Sequence, residues 1–209
     1  MRTVTSPGDP GARPATGGYL KGRIRREDII AAARAVYAEA GYHGSSLREI
    51  AKRAAITHAG LLYYFPTKEA LLAAVLERRD AEDAERQHLD APPGLDVLRR
   101  LVALAGHNVR HPGIVDLYVR LAAEAVGSDH PAHAYFERHY RMARELTVRS
   151  FRVLAARGEL RPGVDPELAA LGFIALMDGL QVQWLTMPDE VDLVGSLKAH
   201  LQSLLTVPL

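Results

Sequence analysis

Apolar residues recur along this chain at intervals of three and four, the spacing that gathers them on one face of an α-helix. Over residues 26–40, Ile29, Ile30, Ala33, Val36, Tyr37 and Ala40 make such a face, and Gly41 supplies the left-handed residue that ends it. Ser46 followed three residues later by Glu49 has the form of a capping box, so a second helix begins at Leu47. Leu47, Ile50, Ala51 and Ala54 give that helix a narrow apolar stripe and leave Arg48, Lys52 and Arg53 for solvent or a partner. Thr57 caps a third helix, His58–Tyr64. Only Ala55 and Ile56 separate the two, a turn of helix-turn-helix length in which Ile56 is placed to plug the angle between them.

The pattern continues without a strand signal, and the chain reads as all-α with about nine helices. Thr67 caps a helix that carries Leu71, Leu72, Val75 and Leu76 into a charged run ending at Arg86, a natural connector from the first three helices to the rest. Ala91-Pro92-Pro93-Gly94 breaks the periodicity, which resumes with Leu95, Leu98, Leu101, Val102, Ala105 and Val109. Pro112 opens a helix bearing Ile114, Tyr118, Leu121 and Ala125, whose opposite side carries Asp116, Arg120 and Glu124 as a solvated ladder. Pro131 opens a long helix to about residue 157, stopped by Gly158, with Tyr135, Phe136, His139, Met142, Ala143, Leu146, Ser150 and Leu154 sharing one face. Asp165-Pro166-Glu167 combines a cap, a first-turn proline and a dipole-favourable acid, and the helix it starts is apolar almost all round from Leu168 to Met177. A last helix from about residue 189 carries Val191, Val194, Leu197, Leu201 and Leu204. A helix that is apolar all round needs cover on both sides, and one small domain has few helices left to provide it. The last two helices are therefore expected to form a four-helix interface with the same pair of a second subunit, the isologous contact of a twofold dimer.

Composition alters this picture in three places. Residues 1–22 are rich in Gly, Pro, Ser and Thr and lack apolar periodicity, which predicts a disordered tail. Lys21, Arg23, Arg25 and Arg26 close that tail, either as a solvated cluster or as an arm reaching DNA phosphates or the minor groove. The formal charge of +1 hides an asymmetry, because residues 1–70 hold 11 Lys/Arg against 6 Asp/Glu, a net +5. Residues 71–209 hold 15 against 19, a net −4, the division expected of a nucleic-acid-binding head on a non-binding body. There is no cysteine, hence no disulfide framework, thiolate metal site or thiol switch. No signal-peptide run or membrane-spanning apolar segment is recognised, so a cytoplasmic protein is expected.

Catalytic chemistry finds no constellation: phosphate loops, nucleophile elbows and paired acids in an apolar context are not evident. His107 and His111 stand four apart but off the apolar stripe and without a third ligand, so neither metal nor cofactor is expected. His139 lies in an apolar stripe, where it reads as a core histidine satisfied by a neighbour, as the lining of a ligand cavity or as a metal ligand.

Residues from about 26 to 72 resemble the DNA-binding domain of the tetracycline-repressor (TetR) family. The resemblance rests on Ile30, Ala32, Ala33, Tyr37, Gly41-Tyr42, Ser46-Leu47-Arg48, Ile50-Ala51, Ala54, Ile56-Thr57, Leu61, Tyr63, Phe65, Lys68 and Leu71-Leu72. Ala55 stands where the turn usually has Gly, Ala59 replaces a Gly of the recognition helix, Leu62 replaces an aromatic, and Tyr64 stands where His is common. The resemblance implies a helix-turn-helix DNA-binding domain over 23–70, with its motif at about 46–65, and an effector-binding and dimerisation domain over 71–209. It implies that Ser46, Thr57, Tyr63 and Lys68 hold phosphates and that Arg48, His58, Ala59 and Gly60 face base edges. Tyr64 can also donate to phosphate. Similar proteins hold an effector among the body helices, where Tyr118, Tyr135, His139, Met142, Phe173, Met177, Gln181 and Trp184 would make a mostly apolar cavity; core packing is the other account of these side chains. The expected function is that of a non-enzymatic homodimeric repressor, released from a pseudo-palindromic operator by a small molecule. The alternative is an all-helical ligand carrier or enzyme whose head is only structural.

Overall fold

The computed structural model of the protein describes residues 16–87 and 91–209, and nine helices make up the fold among them. These are α1 (Thr16–Gly44), α2 (Leu47–Arg53), α3 (His58–Tyr64), α4 (Lys68–Gln87), α5 (Leu95–Val109), α6 (Pro112–Glu124), α7 (His133–Ala156), α8 (Pro166–Thr186) and α9 (Leu193–Leu204). No β-strand accompanies them among the described residues; a single antiparallel bridge pairs Leu160 with Leu205.

The helix starts follow the local chemistry. Ser46 Oγ accepts from Glu49 N at 3.2 Å, Thr57 Oγ1 from Gly60 N at 3.0 Å, and Thr67 Oγ1 from Ala70 N at 3.0 Å. Asp165 accepts from Leu168 N at 2.8 Å, and Asp192 from Gly195 N at 2.8 Å. Each bond satisfies a donor that an uncapped helix would leave open. Gly41 takes φ +69° inside the span of α1, so the helical path breaks where the sequence places its left-handed stop.

Two expectations of extent are corrected. Residues 16–22 belong to α1 and are not a disordered tail; once 24–40 is helical, each residue added at its end needs only propagation, without a new nucleus. The rest of the expected tail, residues 1–15, lies outside the described residues. The ninth helix begins not at about residue 189 but at Leu193, where Asp192 caps it.

Two hydrophobic cores result. The first joins Ile29, Val36 and Tyr37 of α1, Ile50 of α2, Leu61 of α3 and Leu71, Leu72, Val75 and Leu76 of α4 to Tyr118, Tyr135 and Phe136 of α6 and α7. The second packs α5, α7, α8 and α9 around Leu98, Phe151, Leu154, Phe173, Trp184, Leu197 and Leu201. The head therefore shares one continuous core with α6 and the start of α7.

Candidate nucleic-acid interface and effector site

The α2–α3 pair presents a polar, cationic face. Arg48 and Lys52 are exposed, as are His58 and Ala59 at the start of α3. Tyr63 is 84% exposed and packs edge-on against the half-buried Tyr64, with ring centroids 5.3 Å apart. Ile50, Ala51 and Leu61 hold the pair from below, so the exposed side chains stand on a rigid support. Ala55 turns the chain between the two helices at φ +52°, the one non-glycine residue with positive φ among those described. Arg53, left free in the sequence reading, is committed to Glu39 through two bonds of 2.6 and 2.7 Å.

Lys68 is engaged within the fold. Its ammonium donates to the carbonyl oxygens of Tyr42 and Ser45, the latter at 2.7 Å, and lies 4.4 Å from the centroid of the Tyr42 ring. Burial depresses its pKa against the favourable charge of Glu69. The cation thus ties the start of α4 to the turn after α1, where the broken helix leaves carbonyls unsatisfied. Ser46 and Thr57 keep their hydroxyls at the exposed face while capping α2 and α3.

The expected effector residues fall into two groups. Tyr118, Tyr135 and His139 come together beside α4, whereas Phe173, Met177 and Trp184 pack in the second core. Gln181 is buried, and its Oε1 has no donor among the described residues. Met142 does not line a cavity: it shares the side of Tyr135 but is 70% exposed, because the cover over that edge of α7 does not extend so far along the helix.

Beside Tyr118, Tyr135 and His139 stand two acids absent from the sequence reading. Asp80 of α4 accepts from the Tyr135 hydroxyl at 2.7 Å, and His139 Nδ1 meets the same oxygen at 3.0 Å. Burial alone would raise the Asp80 carboxyl, but the bond and charge of His139, the Tyr135 hydroxyl and Arg79 outweigh it and hold the pKa below its ordinary value. Asp178 of α8 shows the opposite balance: burial pushes it up, against a hydrogen bond from Tyr140 and the charge of His139. Aromatic rings surround His139, which lies 5.4 Å from Tyr118, 5.9 Å from Tyr135 and 5.7 Å from Tyr140. The face of Tyr118 is occupied by the guanidinium of Arg79, 4.4 Å from the centroid, and Arg79 also pairs with Asp83 at 3.5 Å. A lone acid inside an otherwise apolar helix was the available signal for Asp178; Asp80 is one charge among many along α4 and carries none.

A capped helix-turn-helix with a cationic face, sharing a core with a helical body, defines a DNA-binding regulator. The family profile described as bacterial regulatory proteins, tetR family, matches residues 29–75, and that of the BetI-type transcriptional repressor, C-terminal, matches residues 96–206. The HTH-type transcriptional regulator BetI of Yersinia pestis (strain Pestoides F) is 32% identical over 162 residues, 75% of this chain and 79% of its own. The A-factor receptor protein of Streptomyces griseus is 27% identical over 156 residues, 74% of this chain but only 52% of that longer protein. Among solved structures, a transcriptional regulator from Saccharomonospora viridis in complex with choline superposes with a TM-score of 0.74 at 22% identity, over 88% of this chain and 100% of its own. The chain belongs to the TetR family of bacterial transcriptional regulators.

Proposed function

We propose that this protein is a cytoplasmic homodimeric repressor that leaves a pseudo-palindromic operator when a small organic cation enters its body. The observation that carries the DNA reading is the exposed face of α2 and α3, where Arg48, Lys52, His58 and Tyr63 stand over a buried apolar support. The BetI-type profile across the body supports repression. Arg48 is the candidate for bidentate contact with guanine, an interaction worth about 1–3 kcal/mol of discrimination.

The cation is argued from charge. Asp80 and Asp83 stand against Arg79 and Asp178 beside Tyr140, and buried carboxylates among tyrosines favour an ammonium group over a neutral or anionic ligand. The choline bound by the Saccharomonospora regulator supports the same class. Asp80 lies on α4, which begins at the head, so a ligand that draws Asp80 away from Tyr135 and His139 also biases the helix that sets the spacing of the heads.

The test is titration of the protein against duplex DNA from upstream of its own gene, with and without choline and its uncharged neohexyl isostere. Wild-type protein is expected to bind in preference to random duplex, to be released by choline and to ignore the isostere. Arg48→Ala is expected to lose about 10-fold or more of that preference while still binding random DNA. Equal losses on both duplexes would remove Arg48 from base reading, and release by the isostere would remove the charge from effector recognition.

A further inference from the structure

The charges around His139 can be matched pair by pair. On α4, Asp83 is paired with Arg79 at 3.5 Å, and the guanidinium of Arg79 also covers the ring of Tyr118 from α6. Asp80, the next residue after Arg79, accepts from the Tyr135 hydroxyl at 2.7 Å and faces His139 Nδ1 of α7 at 3.0 Å. Asp178 of α8 has the Tyr140 hydroxyl and feels the charge of His139, but no Lys or Arg pairs with it among the described residues. The two acids differ accordingly. Burial acts on both, yet the bond and charge of His139 hold Asp80 below its ordinary value, whereas Asp178 is pushed up.

We propose that His139 is the specificity-determining residue of the effector site: its imidazolium neutralises Asp80 from within, leaves Asp178 as the acid open to a ligand, and so restricts the site to effectors with a single positive charge. The role assigned to His139 rests on the reading of the site as one for an organic cation. A second ammonium group on the effector would have to stand against Asp80, where the imidazolium already is, and two cations at one half-buried carboxylate repel each other far more than in water. The aromatic members of the site cannot make this distinction. The rings of Tyr118 and Tyr135, 5.4 and 5.9 Å from that of His139, attract any cation. A cation seated at Asp178 also repels the imidazolium and loosens its hold on Asp80, which connects recognition to α4 and the head.

The experiment is calorimetry on the full chain at about pH 6.5 with two probes of matched shape. Butyltrimethylammonium carries one charge; in (3-aminopropyl)trimethylammonium an ammonium replaces the terminal methyl and adds a second. Wild type is expected to prefer the monocation. His139→Gln keeps a hydrogen-bond donor for Asp80 and discards the charge, so it should move the ratio of the two affinities towards the dication by about 10-fold or more. His139→Lys restores a charge and should return the ratio towards that of wild type. The unsubstituted protein supplies a second measurement: raising the pH to about 8.5 discharges an imidazole, so the wild-type ratio should approach that of His139→Gln, while Asp178 ionises in both proteins alike. A ratio that neither His139→Gln nor pH moves overturns the proposal and leaves the cation reading in place. A wild-type protein that binds neither probe overturns the cation reading itself, and the role of His139 with it.

Discussion

At the scale of single residues, Ala55 shows most directly how the head is built. Its φ of +52° is a conformation that costs an L-residue about 1–2 kcal/mol, and the turn between α2 and α3 requires it. Glycine would remove that cost but add about 0.4–1 kcal/mol of unfolded-chain entropy. Ala55→Gly is therefore expected to stabilise the protein by roughly 0.5–1 kcal/mol. Urea denaturation reads this as a higher midpoint at an unchanged slope, and a lower midpoint would mean that the Ala55 methyl contributes packing beyond what its exposure suggests. Asp178 carries a pH dependence. A cation bound beside it favours the carboxylate, so its pKa falls on binding and a proton is released. Choline affinity should then rise with pH through the raised Asp178 value and level off above it, and Asp178→Asn should flatten the profile; calorimetry in buffers of different ionisation enthalpy counts the proton.

Among the elements, α6 joins the body to the head through two contacts with α1. Glu124, the last residue of α6, meets His43 Nε2 at 3.0 Å, and near its first turn Gly113 packs against Ala38. A Cβ at Gly113 would lie 3.3 Å from both the Ala38 side chain and its carbonyl oxygen, so a larger residue must push the helices apart. Gly113→Leu is expected to destabilise the protein by about 1–3 kcal/mol and to weaken release by choline more than DNA binding without it. The element boundaries that the sequence revealed are those with a chemical marker: Ser46, Thr57, Thr67 and Asp165 cap helices as their positions suggested. What it concealed depends on neighbours distant in the chain. The bonds of Lys68 to the carbonyls of Tyr42 and Ser45, 26 and 23 positions earlier, carry no marker in the sequence. Asp80 becomes part of a site only when Tyr135 and His139, more than 50 positions further on, close over it. Met142 shares the apolar spacing of its helix yet is exposed, since spacing defines a face and not the width of its cover.

For the whole molecule, α8 is the apolar surface that the protomer leaves partly uncovered. It is long and apolar enough to cross a membrane, with a mean hydropathy of 1.4 over its best window, and only 33% of that window is buried within the protomer. Its inner side packs through Ala169, Ala170, Phe173, Leu180 and Trp184, while Leu168, Leu171 and Val182 are 68%, 52% and 49% exposed on the outer one. Between them Gly172 and Gly179 face open space, which lets a second helix approach closely. Asp178 and Gln181 on the same helix argue against lipid as the cover, because a buried acid and amide need polar company. A stripe of this kind can meet its own twofold copy, and the exposed Ser196, Ala199 and Ser203 of α9 are small enough to complete the crossing. Because Leu171 contributes nothing to the protomer's core, Leu171→Arg should leave the denaturation slope of the folded unit intact and act only on assembly. Light scattering should then report the 22.9 kDa of a single chain where the wild type gives twice that mass. Losing the second head removes the effective concentration that links two half-sites, so affinity for a palindromic duplex should fall by about 100-fold or more while affinity for an isolated half-site stays put. A Leu171→Arg protein that remains dimeric at wild-type affinity would move the interface off α8, and with it the account of how one effector site in each body can respace a pair of heads.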